Sequence, residues 1–362
     1  MQDISQELFL QWRSPRFGDS NPTRMNNPVW ESIIQCGESA YAINERFSGP
    51  SPFDAGPGWC FDRFGQSATT LADGRVILIA GEHEDYYDPD FYIYNDVVVK
   101  HPNGAIDIYG YPRDVFPPTD FHSATLAGDK IVLIGSLGYD AERRPDATQV
   151  LILDLVDFSV RLVESGGELP GWIHGHEATL AADGRSICIT KGLCDRGTGM
   201  SFAENFDDWT LTLDTWKWQR SLHRNWQTWT VRRQDKKNSR LWQLRHLLWL
   251  RGRKNDKNFA GQFEDDMERV TQESGGRAPD LDIIPTLYRP SLAHQELPQG
   301  EEEFNIYRTL IDGVVVRYVE EGMAIRVVVE GELPSLRIQV LQADLLEKLQ
   351  QVEKTAWELE EG

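Results

Sequence analysis

The stretch FGQSATTLADGRVILIAGE, Phe64 to Glu82, decides the fold because the chain repeats its plan twice more. DFHSATLAGDKIVLIGS begins at Asp120 and HGHEATLAADGRSICITKG at His174. An Ala-Thr pair opens each copy (Ala68-Thr69, Ala124-Thr125, Ala178-Thr179), with spacings of 56 and then 54 residues. A polar turn follows (Asp73-Gly74, Gly128-Asp129, Asp183-Gly184), then a short apolar run ending in a small residue or glycine. This order describes a β-hairpin whose turn needs unusual backbone angles and whose glycine end lets backbones approach closely.

A second strand pair follows. After the first copy comes NDVVVKHPNGAIDIY from Asn95, with a turn at Pro102-Asn103-Gly104; after the third comes DDWTLTLDTWKWQR from Asp207, which alternates Trp209, Leu211 and Leu213 with threonines. The unit is therefore four strands. One such sheet cannot bury both faces alone, whereas copies stacked radially can.

These residues resemble the kelch repeat, the blade of kelch-type β-propellers and of the galactose oxidase central domain. The likeness rests on FGQSATTLADGRVILIAG, NDVVV and DDWTLTLDTWKW, and covers about Phe64 to Arg220. The family's double glycine stands here as Ala80-Gly81, Gly135-Ser136 and Lys191-Gly192, and its closing tryptophan is clear in the third copy. The resemblance implies a mainly β fold: a kelch-like β-propeller with a helical N-terminal strap and a small α+β C-terminal unit. Three visible blades are fewer than the usual four to eight or so. Either a cryptic blade comes from elsewhere in the chain, or the propeller is open and incomplete, with an edge and face to be covered.

A length of 362 residues suits about two domains. The expected organisation is an N-terminal helical and loop segment at 1–60, propeller blades at 61–225, a basic helix and linker at 226–303, and an α+β unit at 304–362. Pro28, Trp30, Ile33 and Ile34 fit a helix stopped near Gly37. Ser239–Arg251 has helical periodicity, with Leu241, Leu244 and Leu248 on one stripe. The stretch Gly261–Glu303 is rich in Gly, Pro, Gln and acids and reads as containing a linker. GVVVRYVEEGMAIRVVVEGELP reads as a hairpin turning at Glu321-Gly322, with a helix starting at Asp344.

A net charge of −20 argues against nucleic-acid binding, although Lys and Arg cluster between Arg232 and Lys257. The start of the chain lacks the basic and apolar regions of a signal peptide, and no run has the roughly 18 to 20 apolar residues that span a bilayer. The four cysteines, Cys36, Cys60, Cys188 and Cys194, lack CxxC spacing. Reduced thiols in a cytoplasmic protein are expected, with no membrane insertion.

For chemistry, GEHEDYYDPDFYIYND (Gly81–Asp96) offers carboxylates around His83. It has metal-ligand types without a recognised ligand spacing, so neither a metal nor another cofactor is expected. His122 and His176 occupy the same place in successive repeats, where kelch-like blades carry a structural histidine. No nucleophile elbow, phosphate loop or dinucleotide fingerprint is present. The catalytic candidates are His83, His174 and Glu82. The expected function is non-enzymatic protein binding through loops, with Glu82, His83, Glu84, Asp85, Tyr86, Tyr87, Phe91, Tyr92 and Trp172 as binding residues. Loops such as Glu82–Tyr94 and Tyr111–Asp120 would form the surface, and a basic partner would suit the acidic face. A second reading is a pocket for a small molecule or sugar near Glu82, His83, His174 and Trp172, with enzymatic use of it. A third is an architectural homodimer.

Overall fold

The computed structural model describes residues 4–83, 89–197, 202–259, 261–300 and 305–361. Strand outweighs helix, 31% to 23%, in several largely antiparallel sheets, none of them closed into a barrel among the described residues. The chain divides into two compact units, Met1–His223 and Arg224–Gly362.

In the first unit each sequence repeat forms one sheet whose four strands lie in chain order. The first contains Ser67–Thr70, Val76–Ile79, Val97–Lys100 and Ile106–Gly110. The second contains Ser123–Ala127, Lys130–Ile134, Val150–Asp154 and Val160–Leu162. The third contains Glu177–Leu180, Ser186–Thr190, Asp208–Thr212 and Lys217–Leu222. The hairpin turns use the expected chemistry: Asp73 and Asp183 each accept from the backbone N–H two residues on, and Gly74, Gly128 and Gly184 are left-handed.

Hydrophobic patterning sets the order of stacking. Strands buried on both faces read as unbroken apolar runs, whereas strands with one wet face alternate. Lys130–Ile134 and Val150–Asp154 of the middle sheet are apolar on both faces: Ile131, Leu133, Leu151 and Leu153 pack with the first sheet, and Val132, Ile134, Val150 and Ile152 with the third. In the third sheet, Ile187, Ile189, Trp209, Leu211 and Trp218 are buried toward the second. The alternate positions are Ser186, Cys188, Thr190, Thr210 and Thr212, a polar far face.

Repeat-equivalent residues also join across the sheets. Phe121 N–H donates to Gly65 O and Gly175 N–H to Phe121 O, and all three residues are left-handed. Gly81 N–H donates to Thr119 O, and Ser136 N–H to Ile173 O. A Cβ on Gly135 would lie 2.2 Å from Ile173 O, across to the third repeat, whereas one on Gly192 would lie 2.8 Å from His174 O within the third repeat itself. At the weakened double glycines, Ala80 and Lys191 nonetheless hold left-handed backbones.

Short helices cover the outer face of the first sheet. α1 (Gln6–Trp12), α2 (Pro28–Cys36) and α3 (Ala40–Arg46) supply Phe9, Trp30, Ile33 and Ile43 against Val98 and Ile108. α2 follows the sequence expectation at both ends: Asn27 Oδ1 accepts from Val29 and Trp30 N–H, and Gly37 closes it at φ 65°. Arg63, fully buried, pairs with Asp96 and stacks between Trp59 and Tyr94, while Trp59 Nε1 donates to the same carboxylate at 2.8 Å.

The second unit is a six-stranded antiparallel sheet in the order Gln295–Leu297, Ile306–Ile311, Val314–Glu320, Ala324–Glu330, Gln227–Arg233 and Trp357–Glu361. Residues 227–233 thus share a sheet with strands 314–320 and 324–330, which the expected hairpin at Glu321-Gly322 joins to each other. α4 (Leu241–Arg251) buries Leu241, Leu244, Leu247 and Leu250, so Leu247 takes the core place expected of Leu248. α5 (Gln262–Glu273) occupies part of the expected linker and buries Phe263 and Val270. α6 runs Ser335–Glu353 and starts nine residues before Asp344, just after Pro334; Asp344 pairs instead with Lys348 one turn on. The basic residues of α4 are largely spent within the unit: Arg245 on Glu320 and Arg251 on Asp282. Glu353 accepts from buried Arg233, the Ser239 hydroxyl and Arg240 N–H, which ties α6 to the start of α4.

Candidate functional site

The connections between strands and between repeats gather Glu82, Asp120, Ser136, Gly138, Arg143, Trp172, His174 and Asp195 into one linked set in the first unit. Glu82-His83 forms a two-residue strand paired with Tyr92-Ile93. His83 is buried. Phe91 packs edge-on to Tyr139 at 5.7 Å, Tyr92 edge-on to Tyr94 at 4.9 Å, and Ile93 N–H donates to Tyr139 Oη at 2.9 Å. These aromatics brace neighbouring connections. Glu84, Asp85, Tyr86 and Tyr87 lie outside the described residues.

Asp120 is fully buried. Its Oδ1 accepts from Gly138 N–H at 2.6 Å and from the Ser136 hydroxyl at 3.0 Å. Burial raises its pKa, against Gly138, Ser136, the Glu82 carboxyl and the Arg143 charge, all of which favour the anion. Its Oδ2 is buried as well. Arg143 is anchored by donating to the carbonyls of Leu137 and Gly138, and pairs with Asp140 at 2.9 Å and more loosely with Asp195 at 3.9 Å. Asp195 in turn accepts from Gly197 N–H.

His174 stands edge-on to Phe202, 4.7 Å between ring centres, with Nδ1 buried and unpartnered. Burial and the Arg143 charge push it down to about 4, against Asp195. It is therefore neutral at pH 7 and has no proton to donate as an imidazolium. Arg143 links the two clusters, acting on both Asp120 and His174.

His122 and His176 join repeats. Ser67 Oγ hydrogen-bonds His122 Nε2 at 2.8 Å, and Ser123 Oγ hydrogen-bonds His176 Nε2 at the same distance. The ends of the series depart from this rule in sequence: Gln66 replaces the histidine in the first repeat, and Glu177 replaces the serine in the third. Gln66 donates to Ala80 O in its own sheet, and Glu177 is exposed and paired with Lys191.

Beside this network opens a cleft of about 1040 Å³, lined by Arg113, Pro117, Arg143, Arg144, Thr148 and Trp172 among others. Trp172 is buried, with Nε1 donating to Leu137 O. Arg113 pairs with Glu142 and lies over Tyr139. Arg144 is exposed and has no ion pair among the described residues. The segment Tyr111–Asp120 contributes little free surface, because Tyr111, Phe116, Thr119 and Asp120 are all buried; Arg113 and Asp114 are its exposed members.

Asp120, Arg143 and Asp195 escape residue-by-residue reading, but the repeat carries a signal for the first. Asp120 precedes His122 by two residues as His174 precedes His176, so the period places Asp120 and His174 alike. Among the described residues no group of three or more His, Cys, Asp or Glu side chains could hold a metal ion. All four cysteines are free, and burial raises the Cys60 and Cys194 thiols. No described helix is long and apolar enough to cross a membrane.

No family model matches the chain, and no curated protein matches it. Among solved structures, one titled "Structure of YjhT" aligns over 46% of this chain and 73% of that chain, at 12% identity and a TM-score of 0.28.

Proposed function

We propose that the first unit is a three-bladed, open kelch-like propeller whose work is recognition of a protein partner without catalysis. The observation that carries this reading is the use of its polar loop groups. Asp120, His122, His176 and Trp172 hold connections and repeats in place, and beside them lies an open cleft edged by the exposed Arg113 and Arg144. A scaffold that fixes its loops without presenting a nucleophile and base suits binding. The cleft's arginines suit an acidic segment of the partner, whereas a basic partner would have to meet the acidic surface elsewhere. A cytoplasmic setting agrees with the four free thiols.

The test is capture of partners by the full-length chain and by an Arg113→Glu/Arg144→Glu form. A stoichiometric protein lost from the altered chain supports the reading; an equal yield from both removes the cleft from it.

A small polar ligand is the second reading, favoured by His174 Nδ1, which is buried without a partner, and by the Arg143 charge that acts on both His174 and Asp120. His174→Ala and His83→Ala would then abolish ligand binding with the melting temperature unchanged. If they lower only the melting temperature, both histidines are structural.

A further inference from the structure

A second cavity, of about 370 Å³, lies among the N-terminal helices, apart from the cleft. Its apolar wall is Phe9, Ile33, Ile43 and Trp59. Its polar groups are Arg13, Asn44 and Asp90. Arg13 is only 4% exposed; one of its terminal nitrogens donates to Gly56 O at 3.2 Å, while Nε is buried with no partner. Asn44 spends its amide N–H on Pro50 O, leaving Oδ1 buried and unpartnered. Burial lowers the Arg13 pKa, opposed by the Asp90 charge. Cavities of this size with apolar walls and few polar groups are the usual form of small-ligand sites. Water alone could satisfy both orphaned atoms, but four large apolar side chains make a poor lining for it.

A cation with a free N–H, a carboxylate and an amide oxygen on one apolar cavity match the two charged ends of a zwitterion. We propose that this pocket binds a free α-amino acid with an apolar side chain. Its carboxylate accepts from Arg13, its ammonium donates to Asn44 Oδ1 and faces Asp90, and its side chain lies among Phe9, Ile33, Ile43 and Trp59. The segment Gly49–Gly58 supplies Ser51 and Pro52 to the lining, and Tyr41, 76% exposed, stands at the rim.

Titration calorimetry and ligand-observed NMR on the full chain, with L-leucine and L-phenylalanine at millimolar concentration, test the assignment. Leucinol lacks the carboxylate and 4-methylpentanoate lacks the ammonium. Each should bind about tenfold or more weakly than leucine, as loss of a charge-assisted hydrogen bond implies. Arg13→Met should erase the preference for leucine over leucinol. Should that variant not fold, Ala40→Phe, which fills the pocket without removing a polar group, should abolish binding while the melting temperature holds. No saturable binding of either amino acid would mean a pocket filled by water only and would overturn the proposal. Equal binding of 4-methylpentanoate, an unchanged preference in Arg13→Met, or undiminished binding in Ala40→Phe would overturn it as well.

Discussion

His122 and His176 show how one residue type can serve the array at every junction. Each sits nearly sealed from water, and burial is the main cause of their depressed pKa values, about 3 for His122 and about 4 for His176. An unfolded histidine titrates near 6.5. Between about pH 6.5 and 4 the unfolded chain therefore binds protons that the folded chain refuses, so stability is full above that window and falls as pH drops through it, by up to about 1.4 kcal/mol per pH unit for each histidine. The raised carboxyls of Asp120 and Glu353 act with the opposite sign. The histidine contribution is isolated by comparing denaturant midpoints of the wild type and His122→Gln from pH 4 to 7: the wild type should show the steeper loss toward acid. At pH 7, Ser67→Ala should cost about 1 kcal/mol. A double-mutant cycle with His122→Gln should return a coupling of similar size, and additive effects would remove the inter-sheet bond from the account.

At the scale of elements, glycines at turns and at junctions differ in what surrounds them. Gly37 closes α2 in open space, so Gly37→Ala carries only backbone strain and should cost about 1 kcal/mol. Gly135 faces the Ile173 carbonyl across a junction, so Gly135→Ala must push two sheets apart and should cost about 3 kcal/mol or more. Thermal unfolding of the two variants side by side measures the difference. The hairpins and α2 were legible in sequence because local chemistry fixes them: Asx turns in the first, an asparagine cap and the left-handed Gly37 in the second. The start of α6 was not, because the Asp344–Glu347 spacing imitates a helix start within a helix already begun after Pro334. Site residues were least legible. Asp120 and Arg143 gain their character from burial and from one another, which neighbours in sequence do not reveal.

For the molecule as a whole, the two ends of the repeat array are written differently from its middle. The first sheet gives one face to the N-terminal helices, the middle sheet is apolar on both faces, and the third turns serines and threonines outward. A polar outer face is how repeat arrays end in solution, and the substitutions of Gln66 for histidine and Glu177 for serine fall at the same two ends. Closure by a second copy is thus not required by the first unit's core, and sedimentation at micromolar concentration should show a monomer; a stable dimer would restore the homodimer reading. The proposed recognition of a partner by this array runs through the cleft beside Trp172. Quantitative affinity capture with the full chain and with Arg113→Glu/Arg144→Glu tests it most directly. One protein should be held in stoichiometric amount by the wild type and be absent from the altered chain; nothing held by the wild type, or the same protein held equally by both, would rule the proposal out.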